Sequence, residues 1–512
     1  MTDQQADNMN KSNINDPSGG VNEGSSDKKV KSYTFPEGTE KISNFDLPDR
    51  ETYEEIVIPD TVTEIGEKVF KGCKSLQKVT LSKKLVCIQS EAFRGCKSLV
   101  SINIPESISI IGKFAFLGCV SLKRITFPKH KPRKRIIIRK GAFSQCESLE
   151  SVRIPDSVSI IEKTTFYKCT SLKSVILPDS LIIIGKEAFA FCRSLESINI
   201  PDSIKIIRQF AFYCCGSLPR IDLSKSMRKI EKYTFKYCSS LESIKIPNNI
   251  VGIGEYAFDG CYSLIRIKPL GLPSSLKSIK QGAFCGCSSL KTINIPDKIE
   301  EISNSVFCGC SSLKEIEPPG LPLSLKSIKG CAFDGCCSLE SIDIPETVSE
   351  IGPNAFSGCN SLTTFKIPSL VKEIPSRMFF SCLTLKSIEI TDNVERIGRE
   401  AFAGCISLIT IQLPKSIQYI GRFAFYGCLS LEAIIVPNPR HFSERQSISF
   451  NRHYFRSFSR KFSESMKDEN FNLQTTIDIP SSSRRKRVGK EKIEIEKAST
   501  GSVRNNKPTS DT

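Results

Sequence analysis

A short pattern, Phe-x-x-Cys, recurs sixteen times in this chain at nearly constant spacing. Twelve of the fifteen intervals between its cysteines are 23 residues, and the others are 26 or 27 residues. The repeat cysteines are Cys73, Cys96, Cys119, Cys146, Cys169, Cys192, Cys215, Cys238, Cys261, Cys287, Cys310, Cys336, Cys359, Cys382, Cys405 and Cys428. One unit is too small to bury its own apolar side chains, so the copies must stack. The repeat therefore predicts one elongated solenoid, not the roughly three or four domains that the length suggests.

Each unit combines a strand, a proline and a tight bend in a fixed order. Leu195–Ile200 ends in alternating β-branched residues, which favours a strand, and Pro201 follows because proline donates no hydrogen bond to a sheet. A second apolar segment comes next, and Ala-Phe-x-x-Cys then forms a tight bend or a short helical turn. The strand motif also occurs at Tyr53–Pro59, ahead of the first Phe-x-x-Cys, so the sequence predicts seventeen strands.

The unit from Cys192 to Phe212, CRSLESINIPDSIKIIRQFAF, resembles the BspA-like leucine-rich repeat. The resemblance extends from about Tyr53 to Pro437. It implies an α/β-type repeat solenoid: a right-handed leucine-rich-repeat array with a parallel β-sheet on the concave face and short turns or helical bends on the convex side. It also implies a cell-surface protein that acts in adhesion or binds a host protein, and it supplies no catalytic residues.

The cysteines are predicted to be free thiols that pack as small apolar side chains beside phenylalanine and leucine. Neighbouring copies lie within disulfide distance, but their side chains point in parallel, which disfavours bridging. Cys285-Gly-Cys287 and Cys308-Gly-Cys310 leave a zinc site as the alternative. We expect no cofactor, and so many unpaired thiols favour a reducing compartment. The other six cysteines are Cys87, Cys214, Cys285, Cys308, Cys331 and Cys337.

The outward-facing position in the middle of each strand predicts a continuous polar ladder on the concave face. Acidic residues interrupt the basic ones and no aromatic residue occurs there, which excludes a nucleic-acid groove. The ladder therefore favours a protein ligand, with a merely solvated sheet face as the alternative. The candidate ligand-binding residues of this ladder are Arg153, Asn199, Asp222, Lys245, Lys268, Asn294, Glu317, Asp343, Lys366 and Glu389.

Three insertions interrupt the period. The first contains a run of basic residues between prolines, which predicts a projecting loop suited to acidic glycans, phospholipid or an acidic protein, or else a solvated insertion. The candidate residues of this basic loop are Lys129, Lys131, Arg133, Lys134 and Arg135. The other two insertions, Pro269–Pro273 and Pro318–Pro322, are apolar turns in which we expect an exposed leucine pair.

The chain changes character at both ends of the repeat. Phe450, Tyr454, Phe458 and Phe462 recur every four residues among basic side chains, which indicates an amphipathic helix. We expect it to cap the open end of the solenoid, with membrane or partner binding as the alternative. Leu473–Pro480 is predicted to be a degenerate terminal repeat. The expected organisation is a disordered segment at 1–32, an N-terminal cap at 33–52, the solenoid at 53–437, a C-terminal cap with the helix at 438–480 and a disordered basic tail at 481–512.

The composition of the chain excludes two classes of protein. Only three histidines are present, no familiar catalytic motif occurs, and no apolar run is long enough to cross a membrane, so we expect neither an enzyme nor a transmembrane protein.

The first hypothesis is a surface scaffold that binds a protein ligand, such as a host extracellular or cell-surface protein. The alternative is an intracellular regulatory scaffold, because no signal region precedes the repeat and the tail carries a basic cluster suited to nuclear or membrane-surface targeting. A net charge of +17 also fits weak binding to anionic surfaces through the basic loop and the tail, without specific nucleic-acid recognition. The candidate targeting residues are Arg484, Arg485, Lys486 and Arg487.

Overall fold

A computed structural model of the protein describes residues 31–43, 49, 51–128, 135–268, 271–317, 320–436 and 475–478. In these residues the chain winds through stacked turns, and almost every turn gives one strand to each of two parallel ladders. The parallel-strand leucine-rich-repeat solenoid that the resemblance implies is confirmed. The basic loop residues Lys129, Lys131, Arg133 and Lys134, the segment from 450 to 462 and the cluster Arg484–Arg487 lie outside the described residues.

The first ladder is formed by the Leu-x-x-Ile-x-Ile segments. Its strands, numbered with all others in chain order, are β1 (Ser32–Thr34), β3 (Glu55–Val57), β5 (Lys78–Thr80), β7 (Ser101–Asn103), β9 (Arg124–Thr126), β11 (Ser151–Arg153), β13 (Ser174–Ile176), β15 (Ser197–Ile198), β17 (Arg220–Asp222), β19 (Ser243–Lys245), β21 (Arg266–Lys268), β23 (Thr292–Ile293), β25 (Glu315–Ile316), β28 (Thr364–Lys366), β30 (Ser387–Glu389), β32 (Thr410–Gln412) and β34 (Ala433–Val436). The turn at residues 341–343 keeps Ile342 buried without a regular strand.

The second ladder is formed by the short apolar segments that follow the prolines. Its strands are β2 (Lys41–Ile42), β4 (Glu64–Ile65), β6 (Cys87–Ile88), β8 (Ile110–Ile111), β10 (Ile137–Ile138), β12 (Ile160–Ile161), β14 (Ile183–Ile184), β16 (Ile206–Ile207), β18 (Lys229–Ile230), β20 (Gly252–Ile253), β22 (Ser278–Ile279), β24 (Glu301–Ile302), β26 (Ser327–Ile328), β27 (Glu350–Ile351), β29 (Glu373–Ile374), β31 (Arg396–Ile397) and β33 (Tyr419–Ile420). Equivalent residues of successive turns are direct partners, as Ile161 is of Ile184.

The two ends of the described array differ from the sequence prediction. At the start, β1 begins at the last residue of the segment expected to be disordered, and β2 lies in the segment expected as an N-terminal cap. They pair with β3 and β4, so the ladders begin one turn before Tyr53. At the other end, β35 (Thr475–Asp478) pairs antiparallel with β34. The strand predicted within Leu473–Pro480 is present, although it pairs antiparallel, unlike the strands of the repeat.

A column of phenylalanine rings fills the interior. The sixteen Phe-x-x-Cys phenylalanines stack face to face from Phe70 to Phe425, with neighbouring ring centroids 4.9–6.1 Å apart. The repeat cysteines lie beside them, and the thiol of Cys96 donates to the Phe70 carbonyl of the preceding turn at 3.1 Å. The same bond joins Cys261 to Phe235 at 3.2 Å. The same carbonyl also accepts the backbone N–H of the cysteine in its own corner, as Phe70 does from Cys73 at 3.2 Å, so the thiol adds a second hydrogen bond that joins two turns.

The Phe-x-x-Cys corners are tight turns, and no helix occurs in the residues that the structure describes. Every corner holds two residues with positive φ, one two positions before the phenylalanine and one two positions after it, such as Lys68 and Gly72. A right-handed helix cannot contain left-handed residues four positions apart. The expected short turns are present, whereas the expected helical bends are not found.

Candidate ligand-binding surface

The predicted polar ladder lies on the outward face of the first ladder of strands. Eight of its ten candidate residues are exposed, and Asn294 and Glu317 are half-buried. Neighbouring candidates are direct cross-strand partners in two places: Asp222, Lys245 and Lys268 in β17, β19 and β21, and Lys366 and Glu389 in β28 and β30. The exposed members are Arg153, Asn199, Asp222, Lys245, Lys268, Asp343, Lys366 and Glu389.

Asn294 and Glu317 contact the two apolar insertions. The Asn294 amide donates to the Leu272 carbonyl at 3.0 Å and accepts a hydrogen bond from the Leu272 N–H. The Glu317 carbonyl accepts a hydrogen bond from Gly320 N–H at 2.9 Å, and its carboxylate accepts one from the Thr292 hydroxyl. Both residues therefore hold the insertions in place. Contrary to the expected exposed leucine pair, Leu272 and Leu321 are buried.

Two cations of the ladder lie beside carboxylates. Lys366 lies 3.1 Å from Glu346 and 4.0 Å from Glu389. Arg153 lies 3.7 Å from Asp156. These pairs account for the charges at those positions without any ligand, because exposed ion pairs of this kind form readily on a solvated surface.

Four exposed cations in the middle of this face form no ion pair in the described residues: Arg220 in β17, and three that lie together. Lys245 and Lys268 are directly opposed in β19 and β21, and Arg266 precedes Lys268 by two residues on the same strand face. Within the described part of the chain, none of the three forms an ion pair. We call Lys245, Arg266 and Lys268 the cationic stripe. A shallow groove of about 460 Å³ begins at its edge and is lined by Asn199, Asp222 and Lys245 among others.

Carboxylates that follow the strand-ending prolines tie one turn to the next. Asp202 accepts a hydrogen bond from Lys225 N–H at 3.2 Å, and Glu346 accepts one from Ser369 N–H at 2.7 Å. The bond from Lys225 lowers the pKa of Asp202, and the bond from Ser369, assisted by Lys366, lowers the pKa of Glu346 to about 2. Both carboxylates therefore stay ionised and border the face that carries the ladder.

Comparison with known proteins decides the family. A family model described as the BspA type leucine rich repeat region, with six copies, matches residues 25–136, 136–265, 262–386 and 372–483. The chain belongs to this family. No curated protein matches the chain.

Two solved structures resemble the BspA-type array. A leucine-rich repeat protein from Bacteroides ovatus is 26% identical over 79% of this chain and 92% of that chain, with a TM-score of 0.49. A leucine rich cell surface protein from Faecalibacterium prausnitzii is 28% identical over 70% of this chain and 87% of that chain, with a TM-score of 0.38.

The cysteines of this BspA-type array are all free thiols. Burial raises the pKa of most repeat thiols, for example that of Cys169 and of Cys405 to about 12, so these thiols remain protonated. At the position predicted as the zinc alternative, the Cys308 thiol lies 3.9 Å from an Asp334 carboxylate oxygen. No group of three or more metal-ligating side chains occurs in the described residues. The described segments also contain no helix with the length and hydropathy to cross a membrane.

Of the basic loop, the structure describes only Arg135. Its guanidinium donates to the Ser159 hydroxyl, beside a small cavity of about 150 Å³ that Ile137 and Ile160 help to line. The sequence prediction omitted Arg266, because it followed only one outward-facing position of each strand. In each three-residue strand the first and third side chains point to the same face of the sheet. This alternation along the strand already indicates that Arg266 lies on the outward face.

Proposed function

We propose that this chain is a non-enzymatic protein-binding scaffold of the cell surface that acts in adhesion or in binding a host protein. The ligand contacts the outward face of the first ladder. The observation that carries the proposal is the cationic stripe, in which Lys245 and Lys268 are opposed on neighbouring strands with Arg266 beside them.

Like charges at directly opposed positions destabilise a sheet. Other turns show how the same face avoids this cost, since Lys366 is placed between Glu346 and Glu389. Lys245 has Asp222 as its other cross-strand partner, but Arg266 and Lys268 form no ion pair in the described residues, and a solvated surface does not explain this cluster of like charges. An acidic surface of a protein ligand would neutralise it, and the exposed Asp222 and Asn199 would set the register of binding.

Binding of the full-length protein to immobilised extracellular-matrix proteins tests this proposal. We expect Lys245→Glu combined with Lys268→Glu to weaken binding by at least about tenfold, because charge reversal at the centre of an electrostatic interface also repels the ligand. Lys205→Glu combined with Lys277→Glu makes the same charge change beside the second ladder, where both lysines are exposed, and should leave binding unchanged. Equal binding by all three proteins would contradict the proposal.

A second candidate function is an intracellular regulatory scaffold directed by Arg484–Arg487 to the nucleus or to a membrane surface. The observation that favours it is the set of 22 free thiols, since reducing compartments preserve thiols. Labelling intact source cells with a membrane-impermeant amine reagent distinguishes the two. Label on the protein in intact cells supports the surface function, whereas label that appears only after lysis supports the intracellular one.

A further inference from the structure

Seven aromatic side chains form one connected network on the outer side of five successive Phe-x-x-Cys corners. Tyr167, Phe191, Tyr213 and Tyr237 make a chain of edge-to-face contacts at 5.5, 5.1 and 5.8 Å between ring centroids. Phe210 contacts Tyr213 at 5.7 Å. Phe210, Tyr233 and Tyr256 form a parallel stack at 4.6 and 5.5 Å. We call these seven residues the aromatic band.

The aromatic band is separate from the phenylalanine column of the interior. Its members are half-buried or exposed, whereas the column beneath it, at Phe166 to Phe258, is fully buried. The band holds five of the eleven tyrosines of the chain in only five turns, although no tyrosine is fully buried in the described residues. Aromatic residues are therefore concentrated at this part of the surface for a reason other than core packing.

Two members of the band occupy a corner position where glycine is the most frequent residue. Phe191 and Tyr237 have φ of 63° and 60° at the corner position that glycine occupies in ten of the sixteen turns. Phe210, Tyr233 and Tyr256 also have positive φ. All sixteen corners have positive φ at these two positions, so what distinguishes Phe191 and Tyr237 is an aromatic side chain where most corners have glycine.

An ion pair fixes the shape of the band. The Lys236 ammonium lies 2.6 Å from the Asp259 carboxylate and within 5.7 Å of the ring centroids of Tyr233, Tyr237 and Tyr256. Burial lowers the pKa of Lys236, but its bond to Asp259 outweighs this and leaves the pKa raised, so the lysine stays charged. A surface held in this way loses little conformational entropy when it binds.

The arrangement of the rings favours a protein over a nucleic acid. In the stack, Tyr233 has both faces covered by Phe210 and Tyr256. Bases bind to aromatic platforms through free ring faces, which Tyr233 lacks. The band instead offers ring edges and tyrosine hydroxyls, the features that make tyrosine effective in protein-binding surfaces.

Charge indicates the chemistry of the partner. Besides Lys236, three lysines lie over rings of the band: Lys168 over Tyr167, Lys186 over Phe210 and Lys232 over Tyr233, at 5.7, 5.6 and 5.9 Å. Lys186 pairs with Glu187 at 3.4 Å, but Lys168 and Lys232 have no carboxylate partner in the described ranges.

The tyrosine hydroxyls fit the same partner. Burial raises the pKa of Tyr167 and Tyr256, and burial beside Cys214 raises the pKa of Tyr213 to about 12. Hydroxyls that stay protonated can donate hydrogen bonds to carboxylates.

We propose that the aromatic band is a second docking surface, independent of the cationic stripe, for an acidic protein segment in which carboxylates flank apolar side chains. The apolar side chains pack against the ring edges. The carboxylates pair with Lys168 and Lys232 and accept hydrogen bonds from the tyrosine hydroxyls.

Selection of a random phage-displayed peptide library on the full-length protein tests this proposal. We expect enriched peptides that combine Asp or Glu with aromatic or aliphatic residues, and we expect the corresponding synthetic peptides to bind less tightly as salt rises. Phe191→Gly combined with Tyr237→Gly should weaken their binding by at least about tenfold, since truncating central aromatic anchors has effects of this size. Glycine is the usual residue at both positions, so this variant should fold.

A matched control is available in other turns. Phe114 and Phe423 are also half-buried aromatic residues at left-handed positions, and neither belongs to the band. Phe114→Gly combined with Phe423→Gly should leave peptide binding unchanged, as should Lys245→Glu combined with Lys268→Glu.

Failure to enrich acidic peptides, or equal loss of binding in band and control variants, would overturn the proposal. Loss of binding only in the Lys245→Glu, Lys268→Glu variant would also overturn it and would assign the peptides to the cationic stripe. Binding of single-stranded DNA or anionic vesicles that the band variant alone loses would assign the surface to those ligands instead.

Discussion

Phe235 and Tyr237 are two residues apart in the same corner, but they differ in burial and in how often the repeat conserves them. Phe235 is fully buried, stacks on Phe212 and Phe258 at 5.5 and 5.4 Å, and has an equivalent in each of the sixteen corners. Tyr237 is 38% exposed, has a φ of 60°, and stands where most corners have glycine. The interior repeats because every turn must present the same surface to its neighbours, whereas the outside is free to differ. Residues that break the period on the surface are therefore the ones to examine for binding.

High pH should have the largest effect, because it acts on the whole cysteine column at once. The ordinary thiol pKa is 9.0, and burial raises that of Cys169 and Cys405 to about 12. The unfolded chain therefore loses these protons before the folded chain does, and stability falls as pH rises through this window. We expect cooperative unfolding in which thiolate absorbance and loss of the circular dichroism signal coincide. Thiolate absorbance that appears while the protein stays folded would show that the column is open to solvent.

The next largest effect should come from a single ring of the interior. Phe258 is fully buried between Phe235 and Phe284, so Phe258→Ala removes contacts on both sides and leaves a cavity. We expect a loss of about 3–5 kcal/mol in the free energy of unfolding, measured by denaturant titration. Lys245→Ala, in the cationic stripe, is the control and should change it by less than about 0.5 kcal/mol. If both changes cost the same, the assignment of inside and outside is wrong.

A glycine beside the aromatic band should give a smaller effect. Gly260 has a φ of +71°, and a Cβ at this position would overlap the Tyr237 ring. Gly95 has a similar φ of +74° with nothing near its Cβ position, so Gly95→Ala measures backbone strain alone, about 1 kcal/mol. We expect Gly260→Ala to cost more than Gly95→Ala in thermal unfolding. Adding Tyr237→Gly should remove the difference, and a difference that persists would show that Tyr237 does not lie over Gly260.

Sequence reasoning was most successful where the period is strict. The spacing of Phe-x-x-Cys and the β-branched Ile-x-Ile segments are enough to predict a parallel-strand solenoid, because stacking imposes the same buried residues on each turn. The sequence left short turns and helical bends as alternatives at the corners. Glycine two residues after phenylalanine, as in Gly72 and Gly95, adopts the left-handed conformation that favours the turns. The extra turn at Ser32–Thr34 was missed because no Phe-x-x-Cys accompanies it.

Surface features were harder to predict for a physical reason. The unpaired state of Lys245 depends on which carboxylates lie within reach across neighbouring turns, and a one-dimensional sequence does not give those distances. The aromatic band joins residues from three different corner positions, so no single column of the repeat reveals it. The substitution of glycine by Phe191 and Tyr237 was the available signal, and it becomes informative only when the backbone conformation of that position is known.

The central claim is that the repeated interior provides stability, whereas residues that depart from the repeat on the surface serve binding. The most direct test is the free energy of unfolding of the Phe191→Gly, Tyr237→Gly variant. Glycine adopts φ values of 63° and 60° without strain, and this gain offsets the lost ring contacts. We expect the variant to stay within about 1 kcal/mol of the wild-type protein. A loss as large as that caused by Phe258→Ala would contradict the claim, because it would make the aromatic band part of the core.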